Sequence, residues 1–93
     1  MPVKRFTLNG NTIGSLDDLY DRMSALFDLP KHFGRNLDAL WDFLSTDVEG
    51  PFQITWKNAE NSKKLMGRDF DRAVKLFQEL EKERGDFKLK IDH

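Results

Sequence analysis

Two aspartates four residues apart, Asp38 and Asp42, stand in the stretch HFGRNLDALWDFL (residues 32–44), with His32 ahead of them and Trp41 beside the second. Carboxylates at this spacing share a helix face. They could work as an acid-base pair, ligate a metal together with His32, or offer paired negative charge to a cation. Ser45 continues that face one turn later, while Leu37, Leu40 and Leu44 take the opposite one. A bland reading suffices for Asp38, because a first-turn carboxylate favours the positive end of the helix dipole. Asp42 sits mid-helix, where aspartate has poor propensity and a like charge at this spacing costs about 0.2–0.5 kcal/mol. Trp41 reads either as core packing at the helix edge or as an exposed anchor for a partner. His32 is borne on a loop and needs no role beyond solvation. Glu79, farther along, is polar-face decoration unless the fold brings it near Asp42.

Enzymatic readings find little support. No HExxH, EF-hand loop, phosphate-binding loop or GxSxG occurs in the chain, and two carboxylates at helical spacing are common. No catalytic residue, metal or cofactor is expected. Direct nucleic-acid binding would need a basic stripe with interleaved aromatics. The segment KNAENSKKLMGR supplies Lys57, Lys63, Lys64 and Arg68, but its surroundings are balanced.

The chain has 93 residues, 39% of them hydrophobic, with a net charge of −1. One domain spanning residues 1–93 is expected. Eight phenylalanines and two tryptophans can build its core, and the absence of cysteine excludes disulfides and thiolate metal sites. A reducing, cytoplasmic setting fits. No segment is long and apolar enough for a membrane span, and residues 1–10 lack the apolar core of a secretion signal, so the mature chain is expected to be the whole chain. Charge is unevenly spread: residues 15–60 hold nine acids against four bases, a balance of −5, and the flanks compensate. That acidic stretch suits a basic partner.

The elements that must position these residues follow from periodicity. Phe6 and Leu8 alternate with Arg5 and Thr7 as in a strand. Ser15, with Asp18 three residues on, opens a helix whose stripe is Leu16, Leu19, Tyr20, Met23, Leu26 and Phe27, and Pro30 ends it by about Asp28. Asn36 caps a short second helix. Phe52, Ile54 and Trp56 alternate as a second strand. Residues 58–65 form a weaker helix ending at Gly67. A stronger one, with Phe70, Ala73, Val74, Phe77 and Leu80 inward, runs to about Arg84, and Phe87, Leu89 and Ile91 mark a last strand. The order β-α-α-β-α-α-β predicts a small α/β domain with a three-stranded parallel sheet, about four helices, and helices on one face only.

The segment HFGRNLDALWDFL resembles the barstar family of ribonuclease inhibitors, in its pattern aromatic-Gly-x-Asn-Leu-Asp-Ala-Leu-Trp-Asp. LNG near the start, SLDDL, LP before the motif, the Pro51 to Trp56 strand start, NSKKL and LFQELEKERGDFKLKI extend the likeness over nearly the whole chain. The resemblance implies the same parallel sheet and four helices. It also implies a mechanism in which the second helix and the loop before it plug a microbial ribonuclease, with acidic side chains standing in for RNA phosphates. By that likeness Asp42 is the central phosphate mimic and Asp38 its partner. Gly34, Asn36, Leu37 and Trp41 are interface positions, Ser45 replaces a threonine, and Glu79 is a further acidic contact.

Three positions depart from the pattern: His32 and Phe33 replace tyrosines, and Arg35 replaces an acid. A cation at Arg35 would face an already cationic cleft, so Arg35→Glu is expected to strengthen binding to a barnase-like enzyme. His32 at an interface predicts an affinity that changes between about pH 5 and pH 8, and a flat profile would remove it. The expected protein is a cytoplasmic inhibitor or immunity protein, monomeric before complex formation, whose partner is a ribonuclease or nuclease toxin. The alternative is a binding module of the same fold that serves another partner.

Overall fold

Apolar residues at every second position belong to strands with one buried face. A computed structural model, which describes residues 2–93, carries them on β1 (Lys4–Asn9), β2 (Phe52–Lys57) and β3 (Phe87–Asp92). Between these lie helices α1 (Leu16–Phe27), α2 (Leu37–Thr46), α3 (Ala59–Met66) and α4 (Arg68–Glu83). Met1, at the start of the expected domain, lies outside the described residues. The strands are parallel in the order β1-β2-β3, with Phe6 opposite Ile54 and Ile54 opposite Leu89. The α/β architecture is therefore the one periodicity implied.

Leu8, Phe52, Ile54, Trp56 and Phe87 are buried on the inner face and join Leu19, Met23, Leu40, Leu44, Phe70, Phe77 and Leu80 from the helices. Removing such side chains from water is the main stabilising contribution, about 1.5–3 kcal/mol each for full burial. Aromatic rings line up through this layer: Phe6 meets Phe27 at 4.3 Å between centroids, Phe52 meets Phe87 at 4.7 Å, and Trp56 meets Phe70 at 5.0 Å. The outer face bears Arg5, Thr7, Gln53, Thr55, Lys88 and Lys90, exposed or half-buried. Among the described residues, one buried polar side chain interrupts the core. Ser62, fully buried, accepts the Trp56 indole N–H at 3.1 Å and donates to the Ile13 carbonyl at 2.6 Å, so the polar end of the tryptophan is satisfied.

Local chemistry sets the helix ends. Ser15 Oγ accepts from the Asp18 N–H at 3.1 Å, and Asp18 Oδ2 accepts from the Gly14 N–H at 2.9 Å, a capping box reaching one residue farther back than usual. Asp28 closes α1 in the left-handed region, φ 54. α4 starts at Arg68, two residues before its first buried aromatic, Phe70. Hydrophobic spacing marks the buried stripe of a helix, and here the start is set by Gly67, whose φ of +59 favours glycine. A side chain at Gly10 would collide with the Asn58 carbonyl, where the ends of β1 and β2 come together.

Candidate functional site

Asn36 fixes the start of α2 and the loop before it. Its backbone is extended, its Oδ1 accepts from the Ala39 N–H at 2.8 Å, and its Nδ2 donates to the Gly34 carbonyl at 3.1 Å. Leu40 and Leu44, both fully buried, hold the helix from beneath. The far end is held by a residue that periodicity marked only as the end of α4. Arg84 Nη1 donates to the carbonyls of Leu44 and Val48 at 2.8 and 2.7 Å. The first of these is a carbonyl that a helix terminus leaves without an internal partner. Arg84 also forms a two-pronged pair with Asp86, with both hydrogen bonds at 2.9 Å, and stacks 5.0 Å over the Phe52 ring. These hydrogen bonds hold the Asp86 carboxyl below its ordinary value, against an opposing effect of burial. The only sequence signal for this clamp was Arg84 and Asp86 flanking Gly85; its contact with α2 lies forty residues away.

The exposed side of α2 is a ridge between two hollows. Leu37, Asp38 and Trp41 line a groove of about 490 Å³ together with Arg72, Lys75, Leu76 and Glu79 of α4. Asp42 lines a smaller hollow of about 210 Å³ with Pro30, His32, Phe33 and Gly34. The fold thus brings Glu79 to the same groove as Asp38, and His32 and Phe33 to Asp42. Asp38 and Asp42 border different hollows, because four residues advance a helix by about 40° beyond a full turn. Leu37, expected among the core-facing leucines, is half-buried on the groove wall instead. Trp41 is also half-buried there, packed against the core on one side and open on the other. Ser45 is half-buried and donates to the Asp42 carbonyl at 3.3 Å, so its hydroxyl serves the helix.

Asp38, Asp42 and Glu79 are exposed and take part in none of the ion pairs among the described residues. Arg72, on the groove wall, is paired with Asp69 at 3.0 Å. Arg72, Lys75 and Glu79 fall on one face of α4 by their spacing. That signal was present in the sequence, yet only Glu79 was singled out from it. Arg35, expected to bring a cation to the partner's cleft, reaches back to α1 in the free protein, to Asp17 at 3.3 Å and Asp21 at 3.1 Å. Desolvation works against the Arg35 charge, but hydrogen bonds to Asp17 and Asp21 outweigh it and raise the pKa above its usual value. Burial is the main cause that raises the Tyr20 hydroxyl beside it. No three His, Cys, Asp or Glu side chains among the described residues gather closely enough to hold a metal ion, so His32, Asp38 and Asp42 do not form such a group. No helix among these residues is long and apolar enough to cross a membrane.

Comparison with known proteins finds both curated relatives and a family model. A protein of Bacillus subtilis (strain 168) with the name "Putative ribonuclease inhibitor YrdF" is 32% identical over 91 residues, covering 97% of this chain and 100% of that protein. The family model described as "Barstar (barnase inhibitor)" matches residues 3–92, on a chain whose parallel sheet and four helices are those the likeness implied. A match of that extent places this chain in the barstar family.

Proposed function

We propose that this protein inhibits a microbial ribonuclease by seating α2 and the loop before it in the enzyme's active site, and that it catalyses nothing itself. One observation carries the reading: Asp38, Asp42 and Glu79 are exposed on helices packed onto the core, with no cation of their own chain in ion-pair range, among the described residues. A ribonuclease binds RNA phosphates with cationic side chains, and carboxylates fixed on a helix satisfy those cations through charge-assisted hydrogen bonds. Asp42, between the ridge and the loop hollow, takes the central position. His32, Phe33 and Gly34 meet the partner beside it, while Leu37, Asp38, Trp41 and Glu79 meet it along the groove. Asn36 shapes this surface through its cap, and Ser45 lies at its edge. The family match and the name of the Bacillus relative support this reading. The setting is the cytoplasm, where a free monomer would act as immunity protein against a nuclease toxin.

The test is an affinity and inhibition titration against a barnase-like ribonuclease and candidate nucleases, with Asp42→Ala alongside. Removing one member of a buried charge pair across an interface costs about 2–5 kcal/mol, a range to which barstar complexes themselves contributed. Inhibition by wild type that falls at least thirtyfold in Asp42→Ala, as about 2 kcal/mol requires, is the expected result. Binding indifferent to Asp42 would reject the plugging mechanism. A second reading rests on Arg72 and Lys75, which place two cations in the groove with Asp38 and Glu79. That mixed charge suits a barstar-fold binding module whose partner is not a ribonuclease. Absence of binding to any ribonuclease would favour it.

A further inference from the structure

The loop between α1 and α2 is tied down by a side chain that reaches back to α1. Arg35 has φ 47, in the left-handed region that a residue with a Cβ adopts only when its surroundings impose it. Its surroundings do so. One guanidinium nitrogen, Nη2, donates to the Asp17 backbone carbonyl at 3.1 Å and to Asp17 Oδ1 at 3.3 Å, and meets Asp21 Oδ1 at 3.1 Å. The guanidinium carbon lies 5.6 Å from the centre of the Tyr20 ring. Tyr20 in turn receives Phe33 edge-on at 5.7 Å. Asp17, Tyr20 and Asp21 share one face of α1 by their spacing, so the loop grips that face at two points, Phe33 and Arg35. Asn36, which caps α2, is the next residue in the chain.

From this geometry we infer that Arg35 is a latch: it ties the loop to α1, sets the course of the chain into Asn36, and withdraws its own charge from the partner-facing surface. Arg35 is a positioning residue that acts through Phe33, Gly34 and Asn36. The latch is a property of the free protein. Its consequence for affinity rests on the proposed ribonuclease-binding role and reverses the expectation drawn from charge alone. Glutamate at position 35 adds a negative charge to the surface but repels Asp17 and Asp21 and releases the loop. A binding surface that is competent only part of the time loses apparent affinity in proportion.

The experiment is amide hydrogen exchange of the free protein at single-residue resolution, on wild type, Arg35→Glu, Asp21→Arg and the double variant Arg35→Glu/Asp21→Arg. The reporters are the Phe33 amide, bonded to the Pro30 carbonyl, and the Ala39 amide, bonded to the Asn36 side chain. Exposed ion pairs and a cation-π contact at this level make about a tenfold rise in exchange the expected effect of each single change. The double variant recovers part of the protection, because the pair between positions 35 and 21 re-forms with its charges exchanged while the bonds to Asp17 stay lost. Amides of Phe77 and Leu80 in α4 stay at the wild-type rate, which separates a local latch from general destabilisation. Wild-type exchange at Phe33 and Ala39 in Arg35→Glu, or equal loosening of α4, would overturn the latch whether or not any ribonuclease binds. With a ribonuclease that does bind, Arg35→Glu is expected to lose affinity in proportion to the fraction of molecules whose loop is released, and the double variant to recover part of that loss; tighter binding by Arg35→Glu would overturn the functional half.

Discussion

Asp42 is a poor helix former set mid-helix, four residues from the like charge of Asp38. Spacing and propensity made that oddity visible, because both are local properties of a helix. Arg35 and Ser62 were not visible in this way. The partners of Arg35 lie on the preceding helix, and nothing in the order of residues says that a loop cation will turn back to them. Ser62 looks in the sequence like any polar residue of α3, yet its hydroxyl accepts the Trp56 indole N–H in the core. Ser62→Ala leaves that N–H buried without a partner and is expected to cost about 1–3 kcal/mol. Chemical denaturation would show it as a lower midpoint with an unchanged slope. A loss below about 0.5 kcal/mol would mean that another group takes over the indole.

Both ends of α2 are secured by side chains, but only one of the two is written in local sequence. Asn36 at the start was legible because N-caps follow a short-range rule. Arg84 at the end belongs to the following layer of the fold, and periodicity cannot report a bond between the last turn of one helix and the residue after another. The strands and the buried stripes were legible for the complementary reason: alternation and three-to-four spacing describe which face is covered. They do not describe where a ridge divides two hollows, which is why the separation of Asp38 from Asp42 came from the structure alone, and why periodicity turned Leu37 inward where only the family likeness put it at an interface. The clamp at Arg84 carries a pH signature. Its hydrogen bonds lower the Asp86 pKa in the folded state, so folding is favoured by this pair above the ordinary carboxylate range, and that contribution is lost as pH falls through the lowered value. Asp86→Asn is therefore expected to be less stable than wild type at neutral pH, with the gap closing as pH drops below about 4. Denaturation midpoints measured from pH 7 to pH 2.5 would check it; a constant gap would show that Asp86 acts through packing instead.

Across the whole molecule, the uneven charge of the sequence becomes uneven charge in space. Most acids of residues 15–60 lie on α1, α2 and the loops that follow them, whereas Arg5, Lys88 and Lys90, from the compensating flanks, stand on the outer face of the sheet. A chain of almost no net charge can therefore still present one acidic side to a basic partner. The parallel topology has a further result, which concerns the order in which the chain is made. Phe6 pairs with Ile54 and Ile54 with Leu89, so no strand has its partner nearby in sequence. Asp38 and Asp42 leave the ribosome before α4, which packs on their helix, and before Arg84, which closes its end. At ordinary synthesis rates that interval is roughly two to eight seconds. During it the nascent chain carries Asp38 and Asp42 but neither Glu79 nor the clamp that closes their helix; a chain interrupted before Arg84 would hold both aspartates on an α2 whose far end is unsecured.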